Sequence, residues 1–238
     1  MTHSASVPPP APAPLVATPD APRVSVRGSA RLEVDPEIAR IGVVVTARGA
    51  DRAAALTDLT RRNGAALGLL SSYGGAIEDT ATGSFSITPE LTRRGRGEHV
   101  RTYHGHVHIQ ATVGDFTVLG ELTTRLADLE LTRVDGPWWA LRPSSPVHRE
   151  ARRQAVREAV TRAREYAAAL GSDLAALVEL ADIGVDSEPH AIYAGAAARG
   201  AAPGGAAESG VPSLDLEPRR QTVHAHINAR FTITPPVL

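Results

Sequence analysis

Three histidines stand at alternate positions in one apolar stretch of the chain, at His104, His106 and His108. Residues 100–113 favour a strand, in which alternate side chains share a face and neighbouring ones stand about 6.6–7 Å apart. Neutral imidazole nitrogens bind zinc at about 2.0–2.1 Å, and two or three of them can converge from such positions. The spacing therefore makes this face a candidate zinc site.

A second pair, His224 and His226, repeats the same spacing near the end of the chain. If the two histidine strands are neighbours in a sheet, the five imidazoles form one cluster. The alternative is a solvated polar face on which histidine is an ordinary strand residue. Unperturbed histidine titrates near pH 6.5, so such a face would still respond to pH.

Trp138 and Trp139 are the only tryptophans, and they are adjacent. Successive side chains of a strand point to opposite faces. One indole is therefore expected in the core, and the other is a candidate anchor for a protein interface. Packing of the second indole under a helix or loop is the alternative interpretation.

Familiar catalytic signatures are absent from the sequence. It contains no Gly-x-Ser-x-Gly elbow, no Walker phosphate loop and no His-Glu-x-x-His pair. We therefore assign no catalytic residue and no cofactor, and zinc enters only through the histidine hypothesis.

Composition narrows the classes of partner. The formal net charge is −1, which argues against binding nucleic acid through a general basic surface. Cysteine is absent, so disulfides and thiolate metal sites are excluded. The sequence contains no run of 18 apolar residues, the length that a membrane-spanning helix needs. Seven prolines in the first 22 residues favour a disordered tail over a signal peptide, and we expect a cytoplasmic protein.

Residues 24–34 alternate strictly between apolar or small residues and polar ones, which predicts a half-buried strand. Asp35-Pro36 interrupts the pattern, because proline has no N–H to donate to a ladder. The alternation resumes over residues 39–47. We interpret the two segments as a hairpin.

The other elements follow from the spacing of apolar residues, which recurs every two residues in strands and about every 3.6 residues in helices. Helices are expected at residues 51–73, 115–126 and 145–170, and further strands at 80–91, 100–113, 131–141, 177–185 and 222–234, with a loop at 92–98. In the longest helix, alanine recurs every four residues from Ala151 to Ala167, giving a stripe that allows close approach to a sheet. The order is ββαββαβαββ, and it predicts an α+β fold with a mostly antiparallel sheet and helices on one face. We expect one domain at residues 23–234, with a mobile Gly/Ala/Pro-rich loop at 186–217.

Several blocks of this sequence resemble the SIMPL domain family. They include Val24-x-Val26-x-Gly28, the segment Thr82-Gly83-x-Phe85-Ser86-Ile87-x-Pro89 and the alanine-striped helix. The resemblance covers nearly the whole chain beyond the tail, and it implies a weak association with oxidative-stress defence. It provides no catalytic residues. Relatives are often exported.

Two functions are compatible with these observations. The first is a non-enzymatic protein that acts through its surface, as a homo-oligomer or a protein-binding module. The second is a zinc-binding or hydrolytic protein that uses His104, His106 and His108 together with His224 and His226.

Overall fold

The computed structural model describes residues 17–94, 97–187 and 214–237, and side chains at all of these except 92–94, 97–99 and 184–187. Most of the predicted tail and most of the predicted mobile loop lie outside these ranges. The elements are β1 (Arg23–Val34), β2 (Ile38–Gly49), α1 (Arg52–Ser72), β3 (Ile77–Arg94), β4 (Gly97–Val113), α2 (Leu119–Ala127), β5 (Thr132–Ala140), α3 (Pro146–Ala169), β6 (Leu174–Ser187) and β7 (Gln221–Ile233). Their order and their antiparallel pairing confirm the predicted α+β class.

The strands form two sheets, with the orders β1-β7-β6 and β3-β4-β2-β5. The predicted hairpin of β1 and β2 is therefore wrong, because these strands belong to different sheets. A period of two specifies which face of a strand is buried, but not which strand lies beside it. The chain divides into two compact units: one contains β1, α3, β6 and β7, and the other contains the remaining elements.

The four-stranded unit has its core between the sheet and the helices α1 and α2. β2 and β4 are its central strands, and alternate residues are buried from Ala39 to Ala47 in β2 and from Gly105 to Val113 in β4. The largest buried side chains are Ile41, Val43, Val45, Leu70, Ile109, Val113, Leu119, Leu122 and Leu126. Asp51 caps α1 by accepting a hydrogen bond from the Ala54 N–H at 2.8 Å. Both helices lie against the core face of the sheet, and we call the opposite face, on which His106 and Gln110 are exposed, the open face.

The hairpin of β3 and β4 is longer than the sequence indicates. β3 continues past Pro89 to Arg94, and β4 begins at Gly97, so most of the predicted loop at 92–98 is strand. Proline is tolerated here because β3 is an edge strand, whose outward N–H groups have no partner strand.

The three-stranded unit is built on the close contact of α3 with β1. Ser145 caps α3 by accepting a hydrogen bond from the Val147 N–H at 3.3 Å, and Pro146 occupies the first turn. The predicted alanine stripe is confirmed, since all five alanines are buried. A Cβ atom at Gly28 would lie 2.0 Å from the Ala155 carbonyl oxygen, so only glycine allows this approach. Among the described residues, no helix combines the length and apolar character needed to cross a membrane.

Candidate functional site

The three clustered histidines share the open face of β4, as their spacing predicts. His104 Nε2 lies 2.6 Å from a Glu90 carboxylate oxygen, and His106 Nδ1 lies 2.9 Å from the Ser86 hydroxyl. Both partners belong to β3, directly beside β4. The imidazoles of His104 and His106 therefore each bond to a different side chain of the adjacent strand.

His108 lies across two glycines, one on each neighbouring strand. A Cβ atom at Gly42 of β2 would be 2.8 Å from His108 Nε2, and one at Gly83 of β3 would be 3.3 Å from His108 Nδ1. The Trp138 ring also reaches within 3.4 Å of that Gly42 position. His108 and Trp138 thus occupy the space that Gly42 leaves, and the two features proposed separately from the sequence meet on the open face.

The other two histidines belong to the three-stranded sheet. His224 and His226 lie on β7, with ring centroids 6.3 Å apart and nearly parallel rings. The condition for one cluster of five imidazoles is not met, because β4 and β7 are not neighbours in a sheet. Among the side chains that the structure describes, no three from His, Asp or Glu are grouped to hold a metal ion.

The two tryptophans point to opposite faces of β5. Trp139 packs on the core and meets Phe116 edge to face, with ring centroids 4.9 Å apart. Trp138 lies on the other side of the strand and is 37% exposed. The predicted division into one core indole and one exposed indole is confirmed, while a partner for Trp138 stays a prediction.

The edge strand β3 carries an exposed segment that the sequence patterns did not distinguish from the other strands. Residues 78–85 are exposed on both faces of the strand, and Phe85 is 56% exposed although it stands opposite Val107, a core residue of β4. Residues 80–88 contain no charged side chain. This uncharged run in a predicted strand was the sequence signal that could have identified the exposed edge.

The edge strand β1 is covered instead. The Ser29 N–H donates to Glu158 at 3.1 Å, and Arg162 donates to the Arg27 carbonyl at 2.7 Å. Glu158 and Arg162 are also ion-paired to each other, one turn apart on α3. The helix therefore occupies hydrogen-bonding groups that a further strand would need. In the part of the chain that the structure describes, β3 has no such cover.

The edge strand β6 is exposed but acidic. Leu177 and Leu180 are about half exposed, and they stand opposite buried residues of β7. Between them lies Glu179, and Asp182 follows. Two copies of β6 side by side would bring like charges together, which disfavours self-pairing.

The shifted carboxyl pKa values all move downward. A hydrogen bond from His104 lowers the pKa of Glu90, and the charges of His104, Arg101 and Arg48 add to it. Hydrogen bonds from Arg62 and Arg61 lower the pKa of Asp58. Hydrogen bonding likewise lowers the pKa of Asp115 and Glu130, through Thr117 and Arg62 respectively. A carboxylic acid that serves as a general acid needs the opposite shift, toward neutrality, so none of these four carboxyls is suited to that role.

Comparison with known protein families identifies the family of this chain. The model of the SIMPL family, described as proteins of unknown function (DUF541), matches residues 24–231. This span runs from the start of β1 almost to the end of β7, so it includes the strands of both sheets. No curated protein matches the chain. Because the match covers most of its length, the chain belongs to the SIMPL family.

Proposed function

We propose that this SIMPL protein is non-enzymatic and acts as a homo-oligomer, in which β3 pairs with β3 of a second copy. The observation that carries the proposal is the edge of β3 at residues 80–88, which is uncharged throughout and exposed except at Ser86 and Ile87. An uncovered edge strand presents N–H and C=O groups that a further strand can bond. Such main-chain pairing provides affinity without a deep pocket.

A second copy fits this edge because the same segment can serve as template and as added strand. Threonine, phenylalanine and isoleucine, which favour strands, make up much of the run. Antiparallel pairing of residues 80–88 with themselves places no like charges opposite each other. A twofold axis between the two paired strands closes the assembly as a dimer. The net charge of −1 also leaves little long-range repulsion between copies.

Phe85 is the side chain on which to test the proposal. Phe85→Lys removes an exposed apolar ring and brings two ammonium groups together in a paired edge. We expect the native mass, measured by light scattering, to fall from at least that of a dimer to that of a monomer. The melting temperature should change little, because Phe85 is already more than half exposed.

Leu177→Lys is the matched control. Leu177 is 55% exposed and also stands opposite a buried residue on an edge strand, but it belongs to the three-stranded sheet. This variant should keep the wild-type mass. A monomeric wild type would overturn the proposal. Equal dissociation of both variants would show that association depends on non-specific contact between exposed apolar side chains rather than on β3.

The zinc-binding alternative makes a different prediction for the same sample. It requires that the purified protein contain a stoichiometric amount of zinc. The variant His106→Ala should lose that zinc, since His106 stands at the centre of the histidine row. The bond of His106 to Ser86 and that of His104 to Glu90 favour the interpretation of the row as a polar strand face. Elemental analysis of the purified protein separates the two functions.

A further inference from the structure

The three-stranded sheet carries a depression that has no part in the proposed pairing of β3. Its volume is about 380 Å³, and its polar lining comes from all three strands: Ser25 and Arg27 of β1, Glu179 of β6, and Asn228 and Arg230 of β7. This volume lies within the range of small-molecule sites, roughly 300–1,000 Å³. The lining is rich in hydrogen-bond donors for its size.

Arg230, in the lining of the depression, is held in place by two hydrogen bonds. Its Nε donates to the Ser25 hydroxyl at 3.2 Å, and its Nη1 donates to Glu179 at 2.8 Å. These bonds run to β1 and to β6, on either side of β7, so they fix the plane of the guanidinium. A guanidinium has five N–H donors. Three of the five therefore remain for a ligand.

Arg27 and Asn228 are the groups without partners. Neither side chain forms a hydrogen bond or ion pair with any other residue that the structure describes. Two guanidinium groups face one carboxylate in this lining, so its formal charge is +1. Glu179 is already satisfied by Arg230, which leaves Arg27 as the uncompensated charge.

We infer that this depression binds a small oxyanion, the phosphate or carboxylate group of a metabolite. Arg27 supplies the charge, the remaining donors of Arg230 supply directed hydrogen bonds, and the Asn228 amide supplies a neutral donor. The planar fork of a guanidinium matches the oxygens of phosphate and carboxylate. Pre-orientation of Arg230 by Ser25 and Glu179 lowers the entropy lost when the anion binds.

Inorganic phosphate and acetate are the two probes, each titrated into the full-length protein at low ionic strength and followed by amide chemical shifts. We expect saturable shifts at β1 and β7 with at least one of them, and the probe that binds identifies the chemical group. Arg27→Gln should weaken binding by about tenfold or more, because the loss of one charge-assisted hydrogen bond reduces affinity by that amount. Asn228→Ala should weaken it by a smaller factor.

Arg31→Gln is the matched control, because Arg31 lies on the same face of β1 but is paired with Glu33 at 2.8 Å outside the depression. It should bind as the wild type does. The inference is overturned if neither probe binds with saturation, if Arg27→Gln binds as tightly as the wild type, or if Arg31→Gln loses as much affinity. Should Arg27→Gln fail to fold, the comparison of Asn228→Ala with Arg31→Gln decides.

Discussion

β1 and β3 are both edge strands, but only β1 is covered. On β1, two backbone groups are bonded by Glu158 and Arg162 of α3. On β3, residues 78–85 are exposed on both faces. Uncovered edges invite pairing with other chains, and proteins commonly block them. The contrast between the covered edge of β1 and the open edge of β3 is the reason that the proposed pairing is placed on β3.

The difference arises from how closely a helix approaches each edge. Gly28 lets α3 approach the backbone of β1, and the spacing of Glu158 and Arg162 places both side chains on one face of the helix. On the other sheet, Phe85 points to the side of the sheet that α1 and α2 cover, yet it remains more than half exposed. The helices therefore leave the outer strand of that sheet unprotected.

The largest effect is expected from Gly28→Ala. The new Cβ would lie 2.0 Å from the Ala155 carbonyl oxygen, so α3 must shift away from β1. We expect the free energy of unfolding to fall by about 1–3 kcal/mol, as for other overpacked sites. Urea denaturation measures it.

Gly64→Ala is the control for that substitution. Gly64 lies in α1, and a Cβ there would meet nothing within 4 Å. Alanine should therefore raise stability by up to about 1 kcal/mol through helix propensity alone. Equal stability of Gly28→Ala and the wild type would contradict the close docking of α3 on β1.

Removal of the cover on β1 should have a smaller effect on stability and a distinct effect on association. Glu158→Ala deprives the Ser29 N–H of its acceptor and Arg162 of its ion pair. We expect a loss of about 1 kcal/mol. The newly opened edge of β1 should also raise the native mass above that of the wild type, measured by light scattering.

Glu165→Ala serves as the reference for this experiment, since Glu165 is an exposed carboxylate on the same helix. It should change neither stability nor mass. If Glu158→Ala also leaves the mass unchanged, covering by α3 is not what keeps β1 from pairing.

The smallest effect concerns pH at the outer part of β3. The pKa of Glu90 is lowered in the folded protein, chiefly by the hydrogen bond to His104. Its stabilising contribution is therefore complete above the ordinary pKa of glutamate, and it is lost as the pH falls through the lowered folded value. Glu90→Gln should flatten the decline of stability on the acid side, measured by urea denaturation at a series of pH values.

His104→Gln tests the cause of that shift. Removal of the imidazole should flatten the same part of the curve, and adding Glu90→Gln to it should change little more. An additive effect of the two substitutions would show that the carboxylate is stabilised mainly by Arg101 and Arg48 instead.

The sequence was sufficient for features that depend on local pattern. The order of elements, the cap at Ser145, the buried alanine stripe and the opposite placement of Trp138 and Trp139 all follow from the periods 2 and 3.6. These features involve neighbours in the chain, which the sequence places directly.

Pairing between distant strands was not predictable in the same way. β1 lies beside β7, nearly 200 residues later in the chain, rather than beside β2. The meeting of His108 with Trp138 depends on Gly42, which reads in the sequence only as one small residue in a strand. The contrast between covered and open edges likewise needs the position of α3, which no local pattern contains.

The adjacent tryptophans provide two intrinsic fluorescent probes in this protein. They are the only two indoles in the chain, and they stand on one strand in opposite environments. A dissolved quencher such as iodide reaches the exposed ring of Trp138, whereas Trp139 is packed against Phe116. Fluorescence from the first therefore senses events on the open face of the sheet, and fluorescence from the second senses the integrity of the core.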